Sequence, residues 1–564
     1  MKIRVSNYQF FDDLVIGGGG AGLTAAINLA LCGRKVAILS KASPWHSPTN
    51  AAQGGINANF GNQTQDDWRW HLYDTIKASA YIADKDAAEI LCKNANDAVN
   101  FLHEIGVKFD LDENGKILQK IYGGQTINYG SNILAKRACS VKDRTGSAIV
   151  DALMRYAANI GIVFLNYHYV CELIYHDYEC YGVKSYDIAT GRFWAFYSQN
   201  TIIATGGYGQ VFQSCTSPSQ CTGDGARLIS DLGLSLKNME FVQFHPTSMK
   251  DTGILISETA RSIGGYLLNP NGIRFMEKYS AEYKELATRD IVARAIFTES
   301  KSLQENIYLD MRHVCKDIIR QKLGYVYDMC KVFLHQDMSR DLIEIQPSTH
   351  YCMGGVPANA NAQVLDYLGG REYIVDGLYT VGEAACNSVH GAGRLGCNSL
   401  LEIIVFGGEC AKYILANSSK TTHKFRNKNK YIDIEAYMII DLNNLHNIKS
   451  ELKRICQTKV GIIRDHTYLT EAITEIDYLS GKFKDLKSES SASRWDLEFI
   501  ATKELESMLI CARHMAVSAL LRKESRGAHY RSDFASADDN NYRKHSFSRV
   551  NNKTIEVNYI NCKN

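Results

Sequence analysis

Residues Asp13 to Ala26 read DLVIGGGGAGLTAA, and no other stretch restricts the fold so strongly. The short apolar run suits a buried strand. Gly17-x-Gly19-x-x-Gly22 suits a tight turn, and Leu23 to Leu31 has the alanine and leucine content of a helix lying back on a sheet. Glycines in that setting let backbone approach a pyrophosphate, while the helix start supplies N–H groups and the positive end of a dipole. Such a pattern found anywhere in a chain is weak, but between a strand and a helix it points to a dinucleotide site. A second strand is expected over Lys35–Ser40. A nicotinamide-binding unit carries an acid near the end of that strand for the ribose hydroxyls. Ser40-Lys41 stands there instead, which counts against NAD and leaves room for another dinucleotide.

The chain has 564 residues, too many for one core, so roughly two to four domains are expected. A net charge of +2 gives no argument for nucleic acid or for a strongly charged partner. The 16 cysteines are scattered and form no C-x-x-C pair, so free thiols in a reducing compartment are expected, and an iron–sulfur cluster held by this chain is not. No apolar run reaches the length of a membrane span, and the start shows neither a signal sequence nor a transit helix.

Ala51-Ala52-Gln53-Gly54-Gly55 is small enough for backbone to pass a flat ligand. Asp66 to Phe109 reads as helices, with Ala88, Leu91, Ala95, Ala98, Phe101 and Leu102 at helical spacing. Ile121 to Gln125 reads as a glycine-hinged loop, and Val163 to Tyr197 alternates as hairpin strands do. Thr201 to Gly207 is a buried strand ending in glycines, and Thr222-Gly223-Asp224 opens a helix. From about Met239 to Ile345 the chain becomes polar and rich in Arg and His, as an inserted cap over a cofactor domain would be. Sheet character returns at His350–Val356 and Gly377–Ala384. A glycine-rich turn then leads through Arg394 into a helix at Asn398-Ser399-Leu400. From Lys420 to Leu521 the pattern is that of a helical bundle, and the polar tail from Glu524 is expected to end without a regular element.

Taken in order, VIGGGGAGL, AAQGGI, DDWRWHLYDTIK, YGGQ, DRTG, IATGGYG, CTGDGA, MEFVQFHPT, GIRFMEKY, TRDIVAR, THYCMGGVP, VGEAAC, VHGAGRLG, NSLL and KESRGAH resemble the flavoprotein subunit of the succinate dehydrogenase and fumarate reductase family along nearly the whole chain. That resemblance implies an α/β fold: a two-dinucleotide-type FAD-binding domain (1–238 and 346–419), an inserted α+β capping domain (239–345), a helical domain (420–521) and a C-terminal segment (522–564). It implies interconversion of succinate and fumarate, a tricarboxylic acid cycle step, with electrons passing through FAD to an iron–sulfur subunit. A membrane anchor beyond that subunit makes this chain peripheral to a membrane, on the cytoplasmic side of the inner membrane or the matrix side of a mitochondrion. A C4 dicarboxylate needs cations or donors at both ends, and Arg394, His350 and His245 fit that need. Ser257 sits where the family has a hydroxyl ligand, and Tyr122 where it has Phe. Arg289 is by resemblance the proton donor or acceptor, with Glu258 and Arg261 as its relay. For FAD the resemblance implies Gly17, Gly19 and Gly22 at the pyrophosphate and Ser40, Lys41, Gln53 and Gly54 near ribose and ring. Asp224, Glu383, Ser399 and Leu400 complete the pocket.

Three positions depart from the family. Its Arg-Ser-His-Thr is His46-Ser47-Pro48-Thr49, so Pro48 replaces the histidine that bonds covalently to FAD and noncovalent FAD is expected. Its Arg-Gly-Glu-Gly-Gly is Arg261-Ser262-Ile263-Gly264-Gly265, and its Ala-Asn-Arg is Ala392-Gly393-Arg394. The closest rival is L-aspartate oxidase, with noncovalent FAD, toward which Arg289–Arg294, Leu400–Glu402 and Ala528–Arg531 lean. A noncatalytic flavoprotein-like scaffold would require loss of Arg289 or Arg394, and both are present.

Overall fold

The computed structural model describes residues 2–5, 7–417, 432–435, 438–439, 442–488 and 494–563. Asp13–Ile16 forms the expected buried strand, flanked in parallel by Val36–Ser40 and Asn200–Ile203. Arg371–Thr380 extends the parallel run beyond Asn200–Ile203, and Val163–Asn166 extends it beyond Val36–Ser40. Leu14, Val15, Ile38, Leu39, Ile202 and Ile203 are completely buried, as strands covered on both faces must be. The helix Gly20–Leu31 lies on this sheet beside a second long helix, Asn398–Asn417. Both present small residues to each other, which lets their backbones come close. The antiparallel strands His168–His176, Glu179–Asp187 and Arg192–Tyr197 continue the sheet on one side.

The polar insertion folds around a four-stranded antiparallel sheet ordered Val242–Met249, Ile343–Cys352, Ile307–Asp310, Tyr266–Leu268, with the helix Arg289–Leu303 against it. Its core of Met249, Ile256, Leu267, Val292, Ile296 and Leu309 is separate from those of the dinucleotide sheet. Ile343–Cys352 runs without a break through the expected boundary at 345, so the cap and the cofactor domain share a strand. Three helices come next, Leu442–Lys459, His466–Asp485 and Leu497–Leu521, the last two started by Asp465 and Asp496 accepting N–H bonds from Tyr468 and Phe499. The boundary expected at 419–420 lies outside the described residues.

Two expectations fail. Ile121–Gln125 is not a loop but the middle of an irregular strand, Gln119–Thr126, whose pairing with Leu134–Cys139 slips between Ile121 and Thr126. The tail is not irregular either. Lys544–Asn551 and Thr554–Asn561 form a hairpin that pairs with Leu236–Lys237, far back in the chain. What anchors the tail is charge: Arg522 and Glu240 form a fully buried ion pair at 2.6 Å, and Glu524 takes both Arg522 and Arg526 at 2.9 Å. A polar sequence can be interior when its charges are paired. The 16 cysteines are free thiols.

Candidate active site

The turn at Gly17 explains why the chain needs glycine there. Its φ is +109°, and a Cβ would sit 2.2 Å from the Ala204 carbonyl oxygen on the neighbouring strand. The helix after it has glycine at its N-cap and no acid in its first turn, and its first N–H, of Gly20, reaches Thr49 Oγ1 at 3.2 Å; the positive end of its dipole suits an anion. Gly22 serves packing: a Cβ would lie 2.1 Å from the Gly17 oxygen, and the residue does not line the adjoining cavity.

That cavity joins the turn to the polar residues of the cap. Gly17, Gly19, Ser40, Lys41, Gln53, Gly54, Tyr122, Asp224, His245, Ser257, Glu258, Arg289, His350, Glu383, Arg394, Ser399 and Leu400 all line it. Arg261 stands behind its wall. The polar groups expected around FAD are partly engaged with each other. Lys41 Nζ is 2.7 Å from Asp224, 2.6 Å from Glu504 and 3.0 Å from Thr222 Oγ1, so Lys41 and Asp224 form an internal ion pair with a carboxylate from the last long helix. Against the cost of burial, Asp224 and Glu504 raise the lysine above its usual range. Ser40 donates to the Ala42 carbonyl at 2.5 Å, and Gln53 to that of Leu255 at 2.7 Å. Glu383 accepts the Cys352 N–H at 2.9 Å, and burial pushes its carboxyl up to about 7.

Around the cap the residues form a cationic cluster. Arg289 holds Glu258 through Nε at 3.4 Å and Gln243 through Nη1 at 3.2 Å. Glu258 also accepts the Gly123 N–H at 2.6 Å, and Arg261 lies 3.8 Å from its other side, donating to the Glu285 carbonyl. Gln243 donates its amide to the Arg394 carbonyl at 2.9 Å, so one buried amide ties the two arginines together. Arg394 stacks over Tyr351 at 4.5 Å and donates to Ser399 at 2.9 Å. The ring of His245 meets that of His350 at 5.1 Å. His350 Nδ1 bonds Thr216 Oγ1 at 2.8 Å, and His245 Nδ1 lies 3.0 Å from the Thr247 carbonyl, which leaves Nε2 of each ring to meet a ligand. Burial, then Arg289, lowers both imidazoles well below their usual range. The same two causes push Arg394 down to about 10. Tyr122 is buried, its hydroxyl 3.0 Å from Thr259 Oγ1.

Among the described residues, Ser257 Oγ, Gln53 Oε1, Thr205 Oγ1, Gln220 Oε1, and Nε and Nη2 of Arg394 are buried without a hydrogen-bond partner. Buried polar atoms are costly to leave unpaired. Gathered around one cavity with a helix start that carries no acid, they fit a large polar cofactor beside an anionic substrate. Pro48 begins the short helix Pro48–Ala51 and lines the cavity with His46.

Sequence reasoning missed Gln243, Thr216, Tyr351 and Glu504. Gln243 lay inside MEFVQFHPT and Tyr351 inside THYCMGGVP, yet only the fold brings them to the arginines.

Comparison with known proteins gives the same outline. The family profile described as "FAD binding domain" matches residues 12–400, and that described as "Fumarate reductase flavoprotein C-term" matches 449–563. The succinate dehydrogenase flavoprotein subunit of Rickettsia conorii is 39% identical over 553 residues, covering 96% of this chain and 93% of that one. The mitochondrial subunit of Oryza sativa is 38% identical over 564 residues, covering 97% and 89%. Among solved structures, Escherichia coli quinol fumarate reductase superposes with a TM-score of 0.90 at 26% identity, over 99% of this chain and 97% of that chain. Mycobacterium smegmatis Sdh1 does so with 0.83 at 28%, over 98% and 95%.

Proposed function

The chain belongs to the succinate dehydrogenase and fumarate reductase flavoprotein family, and from that premise we propose that its cationic cavity binds a C4 dicarboxylate and interconverts succinate and fumarate. The observation that carries this reading is the cluster itself. Arg289, Arg394 and two histidines share one cavity, and two nitrogens of the Arg394 fork, Nε and Nη2, are buried without a hydrogen-bond partner. A cation held away from water and unpaired is expensive, and a carboxylate taken bidentately relieves that cost.

FAD, when bound, supplies a two-electron hydride acceptor. Gly17, Gly19, Gln53, Gly54, Asp224, Glu383, Ser399 and Leu400 would hold it, with Ser40 and Lys41 bordering the same space and Gly22 acting through packing. The chain's own part is binding and proton handling. Arg394 and His350 take one substrate carboxylate, and His245 and Ser257 the other. Both imidazoles are neutral at pH 7 and donate through Nε2 in the tautomer whose Nδ1 accepts, from the Thr247 N–H at 3.2 Å in His245 and from the Thr216 hydroxyl at 2.8 Å in His350. Arg289 holds the proton that the substrate carbon gains or loses. Giving up a guanidinium proton is steep in water, where its pKa exceeds about 12. Here the transfer relies on position: Glu258 lies 3.4 Å from Arg289 Nε, at hand to exchange the proton inside the site. Arg261 is a positioning residue behind Glu258. The capping part spans about 239–345, with the FAD-binding parts on either side, the helical part to 521 and the C-terminal segment beyond it.

Tyr122 decides between succinate and the rival L-aspartate. Aspartate oxidases place an acid at that wall to meet the substrate's ammonium group. A buried phenol offers little beyond a cation–π contact of roughly 0.5–2 kcal/mol. Succinate should therefore reduce the bound flavin faster than L-aspartate in a stopped-flow experiment. The reverse order would make the protein an aspartate oxidase.

The FAD is noncovalent, because Pro48 carries no nucleophilic nitrogen where the family has its attachment histidine. A flavin without that electron-withdrawing bond has a lower potential, and about 30 mV is worth a tenfold change in equilibrium, which favours fumarate reduction. Electrons pass to an iron–sulfur subunit attached to a membrane anchor. No helix among the described residues is long and apolar enough to cross a membrane, so the chain sits at the membrane through those partners. The side is the cytoplasmic face of the inner membrane or the mitochondrial matrix face, where free thiols persist. Purified in mild detergent from its own cells, the protein should bring an iron–sulfur subunit with it. Acid precipitation of that preparation should leave the yellow colour in the supernatant. A fluorescent flavin band on a denaturing gel would show a covalent bond to another residue.

A further inference from the structure

The loop that carries Arg394 is wedged between two other segments. Ala392 donates its N–H to the Ser79 carbonyl at 3.0 Å, and its own carbonyl accepts the Ala528 N–H at 2.8 Å. Ala528 belongs to a tight turn, closed by bonds between Arg526 and His529 at 2.7 and 3.0 Å. Within it Gly527 has a φ of +54°, and a Cβ there would lie 2.4 Å from the Ala392 oxygen, so the turn presses directly on the loop. The turn is stiff: buried Arg526 is tied to Glu524, to Asp539 at 2.6 Å and to the Ala80 carbonyl at 2.9 Å.

Another carbonyl of that turn reaches the cap. The Gly527 carbonyl accepts from Arg294 Nη1 at 3.1 Å. Arg294 stands on the helix Arg289–Leu303, which begins with the proton-handling arginine. Its other nitrogen pairs with Asp290 at 3.1 Å, and its guanidinium lies over Tyr530 at 5.2 Å. Asp290 in turn accepts from Thr288, the N-cap of the same helix. A continuous path of bonds thus runs from the start of the Arg289 helix through Arg294, Gly527 and Ala392 to within two residues of Arg394.

We propose that Arg294 is a positioning residue for the dicarboxylate reaction: by donating to the Gly527 carbonyl it fastens the cap helix to the C-terminal turn that braces the Arg394 loop. This rests on the reading that Arg289 and Arg394 act on one substrate. Two groups on different parts of the chain bind one molecule only in the arrangement that brings them together. If that arrangement is populated a fraction of the time, the apparent affinity falls by the same fraction while the bound complex reacts as before. Arg294 is a quarter exposed and does not line the cavity, so its loss should act on binding and not on chemistry.

The test uses the FAD-loaded protein. Malonate, a dicarboxylate that cannot be oxidised, is titrated against the flavin spectrum, and KM and kcat are measured for succinate and fumarate. In Arg294→Met, malonate Kd and both KM values should rise by roughly tenfold, the scale of a hydrogen bond to a charged donor, with kcat within about twofold. FAD content and thermal midpoint should stay at wild-type values. Arg294→Lys, which still offers a donor to a carbonyl, should recover most of the affinity. Unchanged malonate affinity in Arg294→Met, a fall in kcat without one in affinity, or no recovery with lysine would each overturn the proposal. Should Arg294→Met fail to fold, Arg294→Leu, which likewise carries no donor, carries the same test. A wild-type protein that neither binds malonate nor takes electrons from succinate would instead overturn the dicarboxylate reading, and the two failures are thereby told apart.

Discussion

Arg289→Lys should retain FAD and bind malonate within a few-fold of wild type, yet turn succinate and fumarate over roughly a thousandfold more slowly. The guanidinium has two simultaneous tasks in the structure. Its Nε faces Glu258 at 3.4 Å and its Nη1 faces Gln243 at 3.2 Å. The first contact connects it to the carboxylate that exchanges its proton, and the second fixes it against the amide that also holds Arg394. A lysine is a single point charge on a flexible stem and can satisfy one of these at a time. Arg394 and the histidines still bind dicarboxylate, so the loss falls on kcat. Rapid-quench or steady-state turnover checks this, and turnover near wild type would remove Arg289 from the mechanism.

Arg394→Gln should have the second large effect, a loss of roughly a hundred- to ten-thousandfold in kcat/KM. It removes a cation and two charge-assisted bonds, each worth about 1.5–3 kcal/mol. A second readout separates this from structural damage. Arg394 donates through Nη1 to Ser399, while Nε and Nη2 are buried and have no hydrogen-bond partner. Burial and Arg289 already push it down to about 10, a sign that its charge is unwelcome in the free protein. Replacing it by a neutral amide should therefore leave the thermal midpoint of the FAD-loaded protein unchanged or higher. A large fall in thermal midpoint together with the kinetic loss would show that Arg394 supports the fold, and the carboxylate role would then need another residue.

Residues that the sequence grouped around one ligand do come together in the fold, though unevenly. His245, Ser257, Glu258, Arg289, His350 and Arg394, expected around one dicarboxylate, all line one cavity. Gly22 and Arg261 stand one layer back. Lys41 and Asp224 were expected beside the cofactor, and the structure pairs them with each other and Lys41 with Glu504. That carboxylate comes from a helix in the C-terminal third and bears no local mark. The tail was misread for a related reason. The segment from KESRGAH to the C-terminus looks solvated because it is full of charge, and its burial depends on Glu240 standing opposite Arg522.

The sequence alone determined what depends on neighbours along the chain. The strand, turn and helix at Asp13–Leu31 come from apolar spacing and from glycines whose backbone freedom is a local property. The helix starts at Asp465 and Asp496 come from side chains that cap their own N–H groups. The tertiary structure decided whatever needs two distant segments to agree. Leu236–Lys237 pairs with the terminal hairpin, Gln243 bonds an arginine 151 residues away, and Gly527 braces Ala392 while accepting from Arg294. A hydrogen bond across such a separation leaves no periodicity in the sequence. Each partner's composition is compatible with many neighbours, and only packing selects one.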